Sequence, residues 1–249
     1  MDRSLRQLPD TARGVIVLHA VRHAQASFDA DHYDLLSPRG EEQAALLGTY
    51  LAADPEHGFD RVICGGMHRH RQTLQAIEQA FERAGRSLPE AFIDEGFNEF
   101  DHGAVIEAFL AQFPDHPEYR GRMPAKSDRA GVSRFLATAL QSWAGAELEH
   151  RLGEGWHAFG ARIGQAHRRM LEGAQGGERV LLVSSGGVIA RLAQHALEVS
   201  DRRTIDFNLS LMNSAISDFA WQDGVLRLRS WNTLPHLSQP GQRRLWSYF

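Results

Sequence analysis

Arginine stands directly beside histidine in two segments of the sequence, and both segments could hold and attack a phosphoryl group. Arg22 precedes His23, and Arg69 follows a Gly-Gly pair in a basic stretch. A guanidinium group can bind two phosphate oxygens at once. An imidazole can act as a covalent nucleophile near neutral pH because a useful fraction of it is unprotonated. Both segments therefore indicate anion binding, although a single Arg-His pair is also common on protein surfaces.

The other basic residues of the second segment have simpler explanations. His68, His70 and Arg71 surround Arg69 where we expect a helix to begin. We interpret all three as solvated side chains. A metal site at the two histidines would need converging carboxylate ligands, which this segment does not supply.

Two further segments carry an acid and hydroxyl groups. Residues 97–103 contain Glu99, and a carboxylic acid beside a phosphate site can protonate a poor alkoxide leaving group. Residues 183–189 place Ser184 and Ser185 before a Gly-Gly pair, where hydroxyls and backbone amides could bind an anion. This last segment does not have the Gly-x-Ser-x-Gly pattern of a serine hydrolase.

Short apolar runs precede these segments and predict the strands of a parallel sheet. Residues 14–21, 59–64 and 180–184 are rich in apolar residues without regular alternation, as expected for strands buried on both faces. A further extended piece is expected at 91–94. Ligands of open α/β sheets bind at the carboxyl ends of such strands. We therefore expect the chemical residues to meet at one edge of the sheet.

Helix signals alternate with the strands. Ser37 is expected to cap a first helix, with a proline at the first helical position. A second helix is expected over residues 69–84 and another over 188–197. Near the end of the chain, residues 215–221 and 225–231 flank a Gln-Asp-Gly turn and predict a β-hairpin.

These elements predict an α/β fold, a three-layer α/β/α sandwich with a mainly parallel central sheet and an antiparallel C-terminal hairpin. Residues 1–249 are expected to form a single domain. A helical insertion over about residues 104–150 is expected to lie over the site as a cap. We interpret its aromatic residues mainly as packing residues.

Composition excludes several classes of function. The formal net charge of −4 leaves no overall positive field for nucleic acid or anionic lipid. The apolar runs are too short to span a bilayer. Cys64 is the only cysteine, so the chain cannot form an internal disulfide. With a polar N-terminal leader, these features predict a cytoplasmic protein that binds neither nucleic acid nor membrane, and they leave the oligomeric state open, a dimer included.

Taken in order, the four segments resemble those of the histidine phosphatase (phosphoglycerate mutase-like) superfamily. That family has an Arg-His-Gly segment after the first strand and a Ser-Pro-x-x-Arg-Ala-x-x-Thr segment after the second. A Glu-x-x-x-Gly loop and a final Ser-His-Gly-Gly turn follow. The Leu-Ser-Gly spacing at residues 35–40 is also similar to the family's, and the likeness covers roughly residues 19–232.

The resemblance implies a role for each matching residue. His23 would be the nucleophile that becomes phosphorylated, and Glu99 would give a proton to the leaving group. The residues that it assigns to phosphate binding are Arg22, Gln25, Ser27, Arg69, Ser185 and Gly186. It implies no metal and no other cofactor, and as partner a phosphorylated small molecule or the phosphate ion.

Two departures from the family pattern matter for the chemistry. Ala24 replaces a glycine, and Ser185 replaces the second family histidine, which normally hydrogen-bonds the phosphoryl group. A hydrogen bond from a charged donor is worth roughly 1.5–3 kcal/mol, so its complete loss would slow the reaction about 10- to 150-fold. One hypothesis is that His102 or Arg71 supplies the missing cation.

The sequence thus favours a metal-independent phosphomonoesterase that works through a phosphohistidine at His23, with activity that Ser185 weakens. The alternative is a phosphate-binding or regulatory pseudoenzyme of the same fold, which Ser185 alone supports. A mutase is less favoured, since it would need a site that excludes water and retains the phosphoenzyme. The substrate is left open because cap residues, which have no simple code, select it.

Overall fold

The structure is a computed structural model that describes residues 14–27, 34–54, 58–125 and 127–248. Most of the N-terminal leader lies outside the described residues. Within them, six strands form a single sheet in the order β3-β2-β4-β1-β5-β6. In chain order the strands are β1 (Ile16–Arg22), β2 (Arg61–Cys64), β3 (Ala91–Ile93), β4 (Arg179–Ser184), β5 (Ile216–Gln222) and β6 (Val225–Thr233).

The sheet is mainly parallel. Strands β1 to β4 run in one direction, and β5 and β6 add an antiparallel pair beside β1. Arg22 lies opposite Ser184, and Cys64 lies opposite Val183, so β1, β2 and β4 end side by side. The register therefore brings the segments that follow these three strands to one edge, as the sequence predicts.

Both faces of the sheet are buried, which explains the unbroken apolar runs. Leu18, Ala20 and Leu182 belong to the core on one side of the sheet. Val21 and Leu181 belong to the core on the other side. Because successive side chains of a strand point to opposite faces, a strand covered on both sides has no polar positions to alternate with.

Seven α-helices lie in the described part of the chain. They are α1 (Pro38–Ala53), α2 (His68–Arg83), α3 (His102–Gln112), α4 (Arg129–Ala144), α5 (Trp156–Leu171), α6 (Gly186–Leu197) and α7 (Asp201–Ser210). Helices α1 and α2 cover one face of the sheet, and α5 and α6 cover the other. The predicted three-layer α/β/α sandwich is confirmed.

The local signals at helix and turn boundaries act as expected. The Ser37 hydroxyl accepts a hydrogen bond from the Gly40 amide at 3.0 Å and caps α1. In the hairpin turn, Asp223 and Gly224 have φ of 52° and 80°. Positive φ at both central residues is the geometry that joins twisted antiparallel strands with least strain.

The sequence analysis missed α7. Ser200 caps this helix, but only Thr204 and Ile205 of its ten residues are buried. A helix with so few buried positions has no apolar stripe, and hydrophobic periodicity cannot detect it.

Helices α3 and α4 lie in the predicted insertion and share an aromatic core. The Phe109 ring meets the Phe135 ring edge to face at 5.6 Å between centroids, and Trp143 packs against Phe100 at 4.6 Å. That the chain forms one domain, with this region as its cap, stays a prediction. Among the described residues, no helix combines the length and the apolar character needed to cross a membrane.

Candidate active site

A cavity of about 760 Å³ opens at the carboxyl ends of β1, β2 and β4. Arg22, His23, Gln25, Arg69 and Glu99 all line it. They come from the end of β1, the first turn of α2 and the loop after β3. The structure therefore brings together five of the residues that the sequence predicts for the site.

The two ring nitrogens of His23 have different hydrogen-bond partners, a backbone carbonyl and an arginine. Its backbone amide donates to the Ser184 carbonyl at 2.8 Å, which ties the residue to the end of β4. Its Nδ1–H donates to the Ala24 carbonyl at 2.7 Å, so the Nε2 atom carries the lone pair. The Arg69 Nε donates to that Nε2 at 3.2 Å.

The surroundings keep this imidazole neutral. Burial is the main cause that lowers the pKa of His23 well below its usual value, and the positive charges of Arg69 and Arg22 lower it further. A neutral ring with an unprotonated Nε2 is the nucleophilic form of histidine.

Arg69 is oriented by an acid on the other side of its guanidinium. The Nη1 atom pairs with Asp34 Oδ1 at 2.6 Å, and Asp34 Oδ2 accepts from the His68 backbone amide at 2.7 Å. Only 3 % of the Arg69 surface is exposed. The charge is therefore fixed in direction and largely shielded from water, which strengthens its interaction with an anion in the cavity.

Arg22 is placed by a backbone contact and by the start of α6. Its Nη1 donates to the Leu211 carbonyl. A side chain at Gly186 would have its Cβ only 3.5 Å from Arg22 Nε and 2.7 Å from Asn208 Oδ1. Glycine at this position therefore makes room for the Asn208 side chain, whereas a Cβ would be in ordinary contact with the guanidinium.

The loop that carries Glu99 is tied to its neighbours by several hydrogen bonds. The Ser184 hydroxyl donates to the Phe97 carbonyl at 2.7 Å, and the Gly66 amide donates to Asn98 Oδ1 at 2.6 Å. Glu99 Oε2 accepts from the Gly187 amide at 2.9 Å. A Cβ on Gly187 would lie 2.3 Å from Glu99 Oε1, so the carboxylate can reach the start of α6 only because this residue is glycine.

Ser185 and His70 form a buried pair beside His23, and neither they nor Gly186 are among the residues that line the cavity. The His70 Nε2 and the Ser185 Oγ are 2.6 Å apart, and both side chains are fully buried. The His70 ring centroid lies 5.6 Å from that of His23. The interpretation of His70 as a solvated side chain is therefore wrong, whereas His68 is exposed as expected.

A signal for the burial of His70 exists in the sequence. His70, Leu74, Ile77 and Phe81 recur at helical spacing and are all buried in α2. Counting the histidine as the first position of that stripe would have placed its side chain in the core.

The remaining predicted residues are distributed differently. Gln25 lines the cavity, and its Oε1 accepts from the Ser37 hydroxyl at 3.0 Å. Ser27 is not among the lining residues, and its hydroxyl instead donates to the Leu36 carbonyl at 3.4 Å. His102 lines the cavity with its ring against Phe100, but Arg71 is exposed and does not line it.

Sequence reasoning missed several residues of the cavity wall, among them Arg39, Arg129, Asn208, Asn213 and Tyr248. They belong to no recognisable motif and reach the cavity only through folding. Among the described residues, no group of three or more histidine, cysteine or acidic side chains is arranged to hold a metal ion.

The wall formed by α3, α4 and the segment between them is mostly aliphatic. Its apolar residues include Val105, Ile106, Met123, Val132, Leu136 and Leu140. The cavity thus has a charged end at His23 and an apolar chamber at the two helices. We use the name apolar chamber for this second part.

Residues 18–234 match the sequence model of the histidine phosphatase superfamily (branch 1). The chain belongs to this superfamily. The resemblance inferred from its four segments is thereby confirmed. No curated protein matches the chain.

Solved structures share the histidine phosphatase fold at low sequence identity. The phosphoglycerate mutase from Bacillus anthracis str. Sterne is 18% identical with a TM-score of 0.63, and the match covers 90% of this chain and 96% of that one. A phosphoserine phosphatase from Entamoeba histolytica, in complex with 3-phosphoglyceric acid, is 18% identical with a TM-score of 0.62 over 89% and 99% of the two chains. A mycobacterial glucosyl-3-phosphoglycerate phosphatase is 18% identical with a TM-score of 0.59 over 88% and 100%. At this identity the likeness establishes the fold.

Proposed function

We propose that this histidine phosphatase hydrolyses phosphomonoesters by transferring the phosphoryl group first to His23 and then to water. One observation carries the proposal. His23 donates through Nδ1, which leaves the lone pair on Nε2, and that atom faces the buried guanidinium of Arg69 within the cavity.

In the first step the Nε2 lone pair attacks phosphorus and the ester P–O bond breaks. Arg22 and Arg69 balance the negative charge of the phosphoryl oxygens, and Gln25, which lines the same cavity, flanks them. The departing alkoxide takes a proton from Glu99. The products are a phosphohistidine and the free alcohol.

In the second step water attacks the phosphohistidine and the P–N bond breaks. The Glu99 carboxylate accepts the proton of that water, and His23 recovers its Nε2 lone pair. Inorganic phosphate leaves, and the site returns to its starting state. No cofactor or metal takes part in this sequence.

The apolar chamber supports a substrate whose alcohol is bulky and mainly apolar. Aliphatic side chains from α3 and α4 offer no hydrogen bonds to a small polar alcohol, whereas each apolar group buried against them gains free energy. Phosphoserine and phosphoglycerate, named for the solved relatives, are smaller and more polar than this chamber favours.

Labelling of the enzyme tests the proposal. We expect the protein to become labelled from a ³²P-phosphomonoester in a rapid-quench experiment, with label that is stable to alkali and lost in acid. His23→Ala should abolish both this label and the burst of alcohol from an aryl phosphate. His68→Ala, which changes an exposed side chain nearby, is the matched control. An unchanged burst in His23→Ala contradicts the mechanism.

Ser185 favours a second candidate function, a phosphate-binding pseudoenzyme. The same preparation distinguishes the two candidates in a thermal-shift titration with phosphate and vanadate. A large stabilisation without turnover on a broad panel of phosphate esters would favour the pseudoenzyme.

A further inference from the structure

Besides Ala24 and Gly66, three residues near the site depart from the superfamily pattern. Gly65 stands at the serine that opens the Ser-Pro-x-x-Arg-Ala-x-x-Thr segment, and His70 stands at its alanine. Ser185 stands at the second histidine of the family. Gly65 directly follows β2, His70 lies in the first turn of α2, and Ser185 follows β4, 115 positions after His70.

The three departures meet at one point in the fold. His70 Nε2 and Ser185 Oγ are 2.6 Å apart. A Cβ on Gly65 would lie 2.2 Å from His70 Nδ1 and 2.8 Å from its Cε1. A serine at position 65 would therefore collide with this imidazole, and a histidine at position 185 would compete with it for space.

We propose that His70 is the second histidine of this site, supplied by α2 instead of by the end of β4, and that it acts on the phosphoryl group through Ser185. The inference rests on the proposed phosphatase function. His70 is a positioning residue here. Its Nε2–H donates to the Ser185 Oγ, and the Ser185 hydroxyl donates to a phosphoryl oxygen held at His23.

The geometry favours this role over simple packing. A buried imidazole loses hydration at both nitrogens, so a site that needed only volume would be served better by an apolar residue. The ring also lies beside His23, with 5.6 Å between centroids, on the same helical turn as Arg69.

The charge of His70 follows the state of the site. With the site empty, burial and then the neighbouring Arg69 lower the pKa of His70 well below its usual value, so the ring is neutral. The negative charge of a phosphoryl dianion at His23 raises the pKa of His70 and so favours the protonated ring. The positive charge then develops where the phosphoryl group needs it, and Ser185 transmits it by a hydrogen bond.

The two cations suggested by the sequence fit less well. Arg71 is exposed to solvent, whereas His70 is buried beside His23. His102 is the first residue of α3, and its ring packs against Phe100. His70, in contrast, contacts Ser185, the residue that replaces the second family histidine.

The proposed role of His70 can be tested by removing this histidine and placing a histidine at position 185 instead. We expect His70→Ala to lower the rate of enzyme phosphorylation about 10- to 150-fold, to change KM for an aryl phosphate little and to weaken vanadate binding by a similar factor. The double variant His70→Ala with Ser185→His restores the family arrangement and should regain at least about tenfold over His70→Ala. Ser185→His alone should not raise activity, because His70 already occupies that space.

Two controls separate chemistry from packing. His68→Ala, on the same turn but exposed, should keep the phosphorylation rate and vanadate affinity of the unchanged protein. His70→Leu fills the volume without a hydrogen bond and should be as impaired as His70→Ala. Circular dichroism and thermal melting establish that each variant is folded.

The inference and the proposed function can fail separately. If His70→Leu keeps the full rate, or if the double variant is no better than His70→Ala, His70 has no role in the chemistry. If the unchanged protein turns over no ester, the phosphatase proposal fails, and vanadate affinity still decides the inference. Equal affinity in His70→Ala and His68→Ala would overturn it, and a tenfold loss in His70→Ala alone would support it.

Discussion

Glu99 illustrates how single residues are placed in this site. Two backbone amides, those of Gly187 at 2.9 Å and Phe100 at 3.3 Å, hold its two carboxylate oxygens. The carboxylate can come this close to α6 because Gly187 has no side chain. A carboxyl group fixed in this way loses little entropy when it transfers a proton, which suits general acid–base catalysis.

Replacement of Glu99 should affect esters according to their leaving groups. We expect Glu99→Gln to lower kcat for an alkyl phosphate by about 10²- to 10⁴-fold, since the alkoxide then leaves without a proton. The loss should be much smaller for phosphorylation by 4-nitrophenyl phosphate, whose phenolate leaves unaided. Rapid-quench rates with the two esters measure this difference. The exposed Glu95, in the same loop, provides the control Glu95→Gln, and equal losses with both esters would contradict the assignment.

At the scale of elements, the edge of the sheet and the helices α3 and α4 form two different parts of the site. The strands β1, β2 and β4 end side by side and deliver the charged residues. Helices α3 and α4 deliver the apolar chamber. In the proposed function, the chemistry therefore depends on the sheet, and the selection among esters depends on the two helices.

A polar residue in the apolar chamber should weaken binding without changing the chemical step. Leu136 lies on α4 and lines the chamber. We expect Leu136→Asn to raise KM about tenfold for an aryl or long-chain ester, because burial of a leucine side chain contributes roughly 1.5–3 kcal/mol. The value of kcat should stay nearly constant. Arg134→Gln, an exposed change on the same helix, is the comparison, and an unaltered KM in Leu136→Asn would mean that the ester binds elsewhere.

At the scale of the whole molecule, the two cores bury an unusual number of ionisable rings. His23, His70, His167 and His236 are all buried. Burial is the main cause that lowers the pKa of His167 from 6.5 to about 4, and His195 and Arg168 lower it further. Burial also lowers the pKa of His236 to about 4. In the folded protein without a bound anion, burial therefore favours the neutral form of these rings.

The stability of the protein should fall as the solution is acidified. Below pH 6.5 the unfolded chain binds protons at His167 and His236 that the folded protein excludes, so unfolding becomes more favourable. Each of the two can cost up to roughly 3 kcal/mol between pH 6.5 and 4. Urea denaturation across that range measures the effect, and a folded His167→Gln variant should show a weaker pH dependence. A free energy of unfolding that is constant from pH 7 to 4.5 would rule this out.

The sequence by itself determined that the chain forms a mainly parallel sheet and that four site residues lie at one edge of it. Apolar runs without alternation are typical of strands covered on both faces, and the carboxyl ends of parallel strands share an edge. This pattern predicts that Arg22, His23, Arg69 and Glu99 meet at that edge, and all four line the cavity. The sequence also identified the superfamily, because the order of the segments along the chain is preserved.

Only the tertiary structure decided which histidine lies beside Ser185. His68 and His70 are two positions apart, so about 200° of rotation separates them on α2 and one faces solvent while the other faces the core. Which of the two side chains faces the core depends on how α2 packs against β4. The contact between His70 and Ser185 joins residues 115 positions apart, and no local pattern encodes a contact of that kind.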